Sequence, residues 1–205
     1  WAAPDRKVFI DGRYAHLYPT DFHGSYEHML ASADAWQQAE AQWGFDYAVV
    51  EYDQKSQKFT LHLNDNPNWA LVYWDNVSAV YLRHSEANNP VIASRQYVIS
   101  RPSFYDLGYV TDQYKKSGDL PGLLEALQRE INFNPENQEP RLARVMALYT
   151  GGKRYYGEIL EELDITIELQ PDLSIEHSAA AFVSYNLGDM ERAEQELALA
   201  LKLNP

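Results

Sequence analysis

Asp11-Gly12-Arg13-Tyr14 is the short run whose residue types most invite chemistry. It follows the apolar stretch Val8-Phe9-Ile10, and an acid at the end of a strand is a common functional placement in α/β proteins. The plainer account is favoured: Gly12 makes a turn, and Asp11 and Arg13 pair with each other or with neighbours. The histidines are scattered. His23 and His28 stand five residues apart, the wrong spacing for a shared metal face on a helix, and His16, His62, His84 and His177 are isolated. Gly151-Gly152 lacks the strand–turn–helix context of a phosphate loop, and no serine sits in a nucleophile-elbow pattern. Glu161, Glu162 and Asp164 fall on an expected helix, where solvated carboxylates are the rule. The chain contains no cysteine, which excludes disulfides and thiolate metal sites. The expectation is no catalytic residue, no metal and no cofactor.

Composition narrows the partners. The 205 residues carry a formal charge of −13, with 45% hydrophobic and 23% charged residues, ordinary for a globular chain. Both halves are acidic, so neither offers the basic field that phosphate backbones require. Nucleic acid is excluded as an expected partner. No run approaches the roughly 18 apolar residues of a membrane span. The chain opens on Trp1 without a methionine, which suggests a fragment of something longer.

All five tryptophans lie in the first 74 residues, and composition changes near residue 100. Lys7-Val8-Phe9-Ile10-Asp11 is a β-branched and aromatic run closed by Gly12, as in a buried strand. Across residues 25 to 43, Tyr26, Met29, Leu30, Ala33, Trp36, Ala39 and Trp43 recur at three and four. That stripe predicts one amphipathic helix, closed by Gly44. Tyr47 to Tyr52 is a second strand, and Phe59-x-Leu61-x-Leu63 leans towards a short helix. Trp69 to Trp74 and Val77 to Leu82 flank Asp75-Asn76, a hairpin signature. The fold class is therefore α+β overall. A small α/β domain over 1–87, of order β-α-β-(α)-β-β and partly parallel, precedes a connector over 88–103 and an all-α array over 104–205.

The array is read from its endings. Ile131-Asn132-Phe133-Asn134-Pro135, Ile167-Glu168-Leu169-Gln170-Pro171 and Leu201-Lys202-Leu203-Asn204-Pro205 close successive segments, the prolines 36 and 34 residues apart. Gly118-Asp119 and Gly188-Asp189 each begin 17 residues before a closing proline. This pattern resembles the tetratricopeptide repeat, two antiparallel helices per unit. The resemblance places copies at 104–135, 138–171 and 174–205. Ala181, Ala193 and Ala200 stand where the family packs helices closely. The second copy has Ile159 and Thr166 there, and the first has Leu123 and Glu130. Gly151-Gly152-Lys153-Arg154 absorbs the two extra residues of the second copy.

By the same resemblance, the first helix of each copy lines a concave face. That face would hold Tyr105, Tyr109 and Asp112, then Arg141, Arg144 and Leu148, then Ser178, Phe182 and Tyr185. Aromatic and arginine side chains commonly carry interface energy, which implies a protein or peptide partner. Arg141 and Arg144, one turn apart, could grip an acidic peptide. The favoured alternative pairs them with Glu136, Glu139 or other local acids. In the last helix, Ala193, Leu197, Ala200 and Leu201 are expected to meet the partner helix of their own hairpin. Leu199 and Leu203 then face the place of a next repeat, where truncation, self-association or tolerated exposure are equally open.

Residues 1 to 84 are similar to the soluble segment that follows the last membrane helix of bacterial polytopic proteins resembling lipid-linked-sugar glycosyltransferases. The similarity rests on Trp1 to Pro4, Lys7 to Arg13, Asn68 to Asp75 and Val80 to Arg83. It implies an extracytoplasmic, periplasmic location, with the parent membrane-anchored upstream of Trp1. It implies no activity for this chain. The expected function is non-catalytic protein interaction or assembly. The alternative is a carbohydrate- or lipid-carrier-binding accessory domain, which needs Trp36, Trp43, Trp69 and Trp74 exposed.

Overall fold

The computed structural model describes residues 20–51, 61–103 and 106–204. Its contacts divide the chain into two compact units, Trp1–Gly44 and Phe45–Pro205. The strand expected at Lys7 to Asp11 and the Asp11-Gly12-Arg13 turn lie outside the described residues.

In the first unit, helix α1 (Thr20–Ala31) packs on α2 (Ala33–Trp43). The single helix expected over residues 25 to 43 is broken at Ser32. Its backbone is extended, and its hydroxyl accepts the Ala35 N–H at 3.3 Å. Serine competes with helical hydrogen bonding and starts helices readily, so the apolar spacing runs straight across a break it does not reveal. Gly44 ends α2 in the left-handed region at φ 63°, its N–H on the Glu40 carbonyl.

The second unit begins with a three-stranded sheet: β1 (Tyr47–Glu51), β2 (Trp69–Trp74) and β3 (Ser78–Arg83), ordered β1-β3-β2. Both pairings are antiparallel, Val49 opposite Val80 and Leu71 opposite Tyr81. The parallel pairing expected from the sequence involved residues outside the described ones. Alternation works in β1, where Ala48 and Val50 are buried and their neighbours are exposed. In the hairpin Asp75 does the organising. Its Oδ1 accepts the N–H groups of Val77 and Ser78 at 2.8 and 2.7 Å, and its Oδ2 accepts the Tyr73 hydroxyl at 2.6 Å. Burial works against the Asp75 charge, but the bonds from Tyr73, Ser78 and Val77 outweigh it and hold the carboxyl below its ordinary range. Leu61–Leu63 forms a single 3-10 turn where a short helix was expected. The connector holds a helix that the sequence reading missed, α3 (Asn89–Arg95). Pro90 stands in its first turn, where proline is tolerated, and the helix packs on β2.

Three helical hairpins follow: α4 (Gly108–Ser117) with α5 (Leu120–Phe133), α6 (Glu139–Thr150) with α7 (Tyr156–Leu169), and α8 (Ser174–Leu187) with α9 (Met190–Leu203). The repeated Gly-Asp phrase is a helix stop followed by a helix start. Gly118 and Gly188 adopt φ 65° and 86°, where glycine has no Cβ penalty. Asp119 and Asp189 then accept the N–H groups of Gly122 and Arg192 at 2.9 and 3.1 Å. The middle turn differs. Gly152 takes the positive φ, and a 3-10 turn at Lys153–Tyr155 spends the two extra residues.

Each hairpin is stacked on the next through small residues. Leu127 packs with Ala143 and Ala147 of α6, and Leu163 packs with Ala180 and Val183 of α8. Neither hairpin could bury its apolar side alone.

The sheet, expected to close a domain at residue 87, shares its compact unit with this array. Glu130 of α5 is one reason. Its side chain is fully buried, and it accepts the N–H groups of Val98, Ile99 and Ser100 at 2.5, 2.8 and 2.8 Å and the Ser100 hydroxyl at 2.6 Å. Asn134 and Asn137 supply another, both donating to the Trp74 carbonyl at the end of β2, at 3.2 and 3.0 Å. Tyr97 N–H donates to Leu71 O of β2 at 2.9 Å. The free edge of β2 is thus occupied by the connector and the α5–α6 turn, a common protection for an edge strand. Tyr97 also stands edge-on to both Trp74 and Phe133.

Candidate functional site

The candidate surface residues separate into two groups by burial. Tyr105 lies outside the described residues. Tyr109 is half-buried under the Arg101 guanidinium, 4.9 Å above its ring, and its hydroxyl accepts the Arg101 N–H at 3.4 Å. Asp112 is exposed and pairs with Lys115 at 3.3 Å. Leu148 is fully buried, in the cluster with Ile159 and Ala180, and presents nothing to a partner.

Arg141 and Arg144 converge on one carboxylate, Glu162 of α7, at 3.0 and 3.2 Å. Arg144 reaches Glu158 at 3.8 Å and Gln128 of α5 at 3.3 Å. The side chains of Arg141, Arg144 and Glu162 are only 14, 16 and 12% exposed. The arginines are therefore internal struts that tie α5, α6 and α7, and they are not an open grip for an acidic peptide. The acids they meet are Glu162 and Glu158. Glu162, expected to be solvated, is the hub, and Asp164 pairs with Arg192 of α9. The long reach of arginine hid this arrangement, because acids 18 to 21 residues away are not neighbours in any local pattern.

Phe182 and Tyr185 remain open, at 53 and 60% exposure, and Ser178 and Ile175 on α8 are also exposed. Beside them on α9 the leucines divide in an informative way. At the same place in the three hairpins stand Leu127, Leu163 and Leu197, with exposures of 0, 1 and 50%. One turn on stand Ile131, Ile167 and Leu201. Ile131 is buried, Ile167 is partly buried, and Leu201 is 60% exposed. So Leu197 and Leu201, expected to meet α8 with Ala193 and Ala200, stand in the open, while the two alanines are buried. Leu199 and Leu203 are exposed too, but so are Ile165 and Leu169 at the equivalent places of α7. Exposure there belongs to the repeat, and exposure at Leu197 and Leu201 belongs to the third copy alone. The 34-residue offset held this signal, since it aligns Leu163 with Leu197.

Among the described residues the tryptophans do not form a sugar-stacking face. Trp36, Trp69 and Trp74 are buried, and only Trp43 of the four is exposed. A polar groove of about 400 Å3 lies between Asn64, Tyr97, Arg101 and Tyr109. Arg101, one of its two lining cations, is already bound to Asp65 at 2.8 Å. Among the described residues no group of three or more His, Asp or Glu side chains is arranged to hold a metal ion. Among them, too, no helix is long and apolar enough to cross a membrane.

No protein-family model matches the chain, and no curated protein matches it. Among solved structures it is similar to two MamA chains. One, named MamA MSR-1 C2, is 20% identical at a TM-score of 0.41, over 58% of this chain and 64% of that one. The other, a MamA mutant, is 20% identical at a TM-score of 0.40, over 58% of this chain and 88% of that one. The chain thus spans just under two thirds of the length of the first.

Proposed function

We propose that this chain is a non-catalytic protein-interaction region whose contact surface is the open side of its third hairpin. The observation that carries the reading is the series Leu127, Leu163, Leu197, covered twice and uncovered once. In the first two copies the cover is a helix that offers small apolar residues, Ala143 and Ala147 to Leu127, then Ala180 and Val183 to Leu163. The partner sought is therefore an amphipathic helix with small residues on its apolar side, the helix-in-groove mode of recognition. Exposed Phe182 and Tyr185 on α8 extend the surface with the side-chain types that anchor interfaces.

A photo-crosslinking residue at Leu201, compared with one at exposed Glu161, tests the surface in cells. A discrete protein adduct from position 201, absent from 161, supports it. Equal labelling from both positions, or none from 201, refutes it. An adduct at twice the protein's own mass identifies the partner as a second copy. The extracytoplasmic setting rests on the similarity of residues 1 to 84 alone. Accessibility of the chain to protease added outside the cytoplasmic membrane is its test.

A further inference from the structure

His177, on α8, is only 4% exposed, and both of its ring nitrogens are engaged. Nδ1 lies 2.6 Å from Oε2 of Glu196 on α9, and Nε2 lies 3.0 Å from the carbonyl oxygen of Pro171 in the turn before α8. A carbonyl oxygen only accepts, and so does an ionised carboxylate. For both contacts to be hydrogen bonds, both nitrogens must carry hydrogen, which is the imidazolium form. A neutral ring has one N–H and must give up one of the two contacts.

We propose that His177 is a proton-operated fastener of the third hairpin: protonated, it ties α9 to the turn that leads into α8, and on losing its proton it releases one end of that tie. The idea goes beyond the interaction role and holds whether or not the hairpin meets a partner.

The surrounding charges agree in sign. On α9, Glu196 faces the ring directly, and Arg192 approaches the other oxygen of that carboxylate at 3.8 Å while binding Asp164 of α7. On α8 itself, Glu176 is the adjacent carboxyl, buried and with no hydrogen-bond partner for either oxygen. Burial disfavours the charged ring. The Glu196 and Pro171 hydrogen bonds, and the charges of Glu196 and Glu176, outweigh it and hold the His177 pKa above its ordinary 6.5. A raised pKa means the fastening is complete below about pH 6.5 and is lost as pH rises through the folded-state value. Glu176 pulls the same way, since burial pushes its carboxyl up to about 7. The two must be separated by experiment.

Amide hydrogen exchange of the whole chain, corrected for intrinsic rates, reads the fastener between roughly pH 5.5 and 9. Protection in α8 and α9 should fall as pH rises, tenfold for each unit by which the folded pKa exceeds the unfolded one, while α4 and α5 hold. Glu176→Gln removes the second titrating group and should leave the His177 share of that fall in place. His177→Gln should remove that share, and the two substitutions together should abolish the fall. Should His177→Gln fail to fold, Glu196→Gln keeps an acceptor without the charge and should move the midpoint to lower pH. The ring itself is read by its nitrogen chemical shifts. A neutral His177 at pH 6, or a fall in protection that survives His177→Gln and disappears in Glu176→Gln, overturns the proposal.

Discussion

The first and third hairpins treat one repeated position in opposite ways. At the first hairpin, the buried place held by alanine in the third copy is occupied by Glu130, which binds three backbone N–H groups and a hydroxyl of the connector. At the third, the same place is Ala200, and the leucines beside it, Leu197 and Leu201, are exposed. Between them, Thr166 is fully buried and returns its hydroxyl to the Leu163 carbonyl of its own helix, 2.9 Å away. One position in a repeat thus carries three chemistries. A charged clamp welds the array to the sheet, a self-satisfied hydroxyl fills the middle, and a methyl group lets α8 and α9 close. What resembled decay of a repeat in the first copy is specialisation of the hairpin that holds the connector.

The comparison is sharpest at Glu130. Glu130→Ala strands the N–H groups of Val98, Ile99 and Ser100 in a buried place, and should cost about 3–5 kcal/mol, measured by urea unfolding. Glu130→Gln keeps an acceptor oxygen and should cost less. If Glu130→Ala cost under 1 kcal/mol, the weld between sheet and array would be ornamental.

Leu163→Ala, under the cover of α8, should cost about 2–5 kcal/mol, and so should Leu127→Ala under α6. Both lie in clusters that cannot refill the space without moving a neighbouring hairpin.

Acidity should separate the first and third hairpins next. Glu176 binds its proton more tightly folded than unfolded, its pKa rising from 4.5 to about 7. Its contribution to stability is therefore complete below pH 4.5 and lost as pH rises to 7, a change of at most about 3 kcal/mol. Glu176→Gln should remove that slope and raise stability at pH 7, seen as a higher urea midpoint at pH 7 than wild type and little difference at pH 4.5. A midpoint at pH 7 below wild type would show that the buried carboxylate has a favourable partner when ionised.

Smallest are the helix starts. Asp119→Ala and Asp189→Ala each remove a cap bond and should cost about 1 kcal/mol. The loss should fall on the first hairpin in one case and the third in the other, as resolved by amide exchange.

Much of this was legible beforehand because it is local. The Gly-Asp phrase marked helix stops and starts through backbone conformation alone, and the Asp75-Asn76 hairpin needed only its own two flanking runs. The Arg141–Glu162–Arg144 hub was hidden because it joins the two helices of one hairpin, 18 to 21 residues apart. Glu130 was visible as an oddity at a packing place, but its partners, Val98 to Ser100, sit more than 29 residues earlier in an undistinguished connector. Ser32 broke an apolar stripe without disturbing its spacing. Burial was the poorest inference in α9, where helical periodicity puts Leu197 and Leu201 on the stripe of Ala193 and Ala200. Whether that stripe is covered depends on a neighbour and not on the helix.

That last point is the centre of the account, and the unfolding free energy of a double variant, Leu197→Glu with Leu201→Glu, tests it most directly. An open face tolerates both charges, so the variant should unfold within about 1 kcal/mol of wild type, whereas Leu163→Glu, buried under α8, should lose several times more. A double variant as damaged as Leu163→Glu would mean that the face is already covered within the chain, and the contact surface assigned to the third hairpin would be gone.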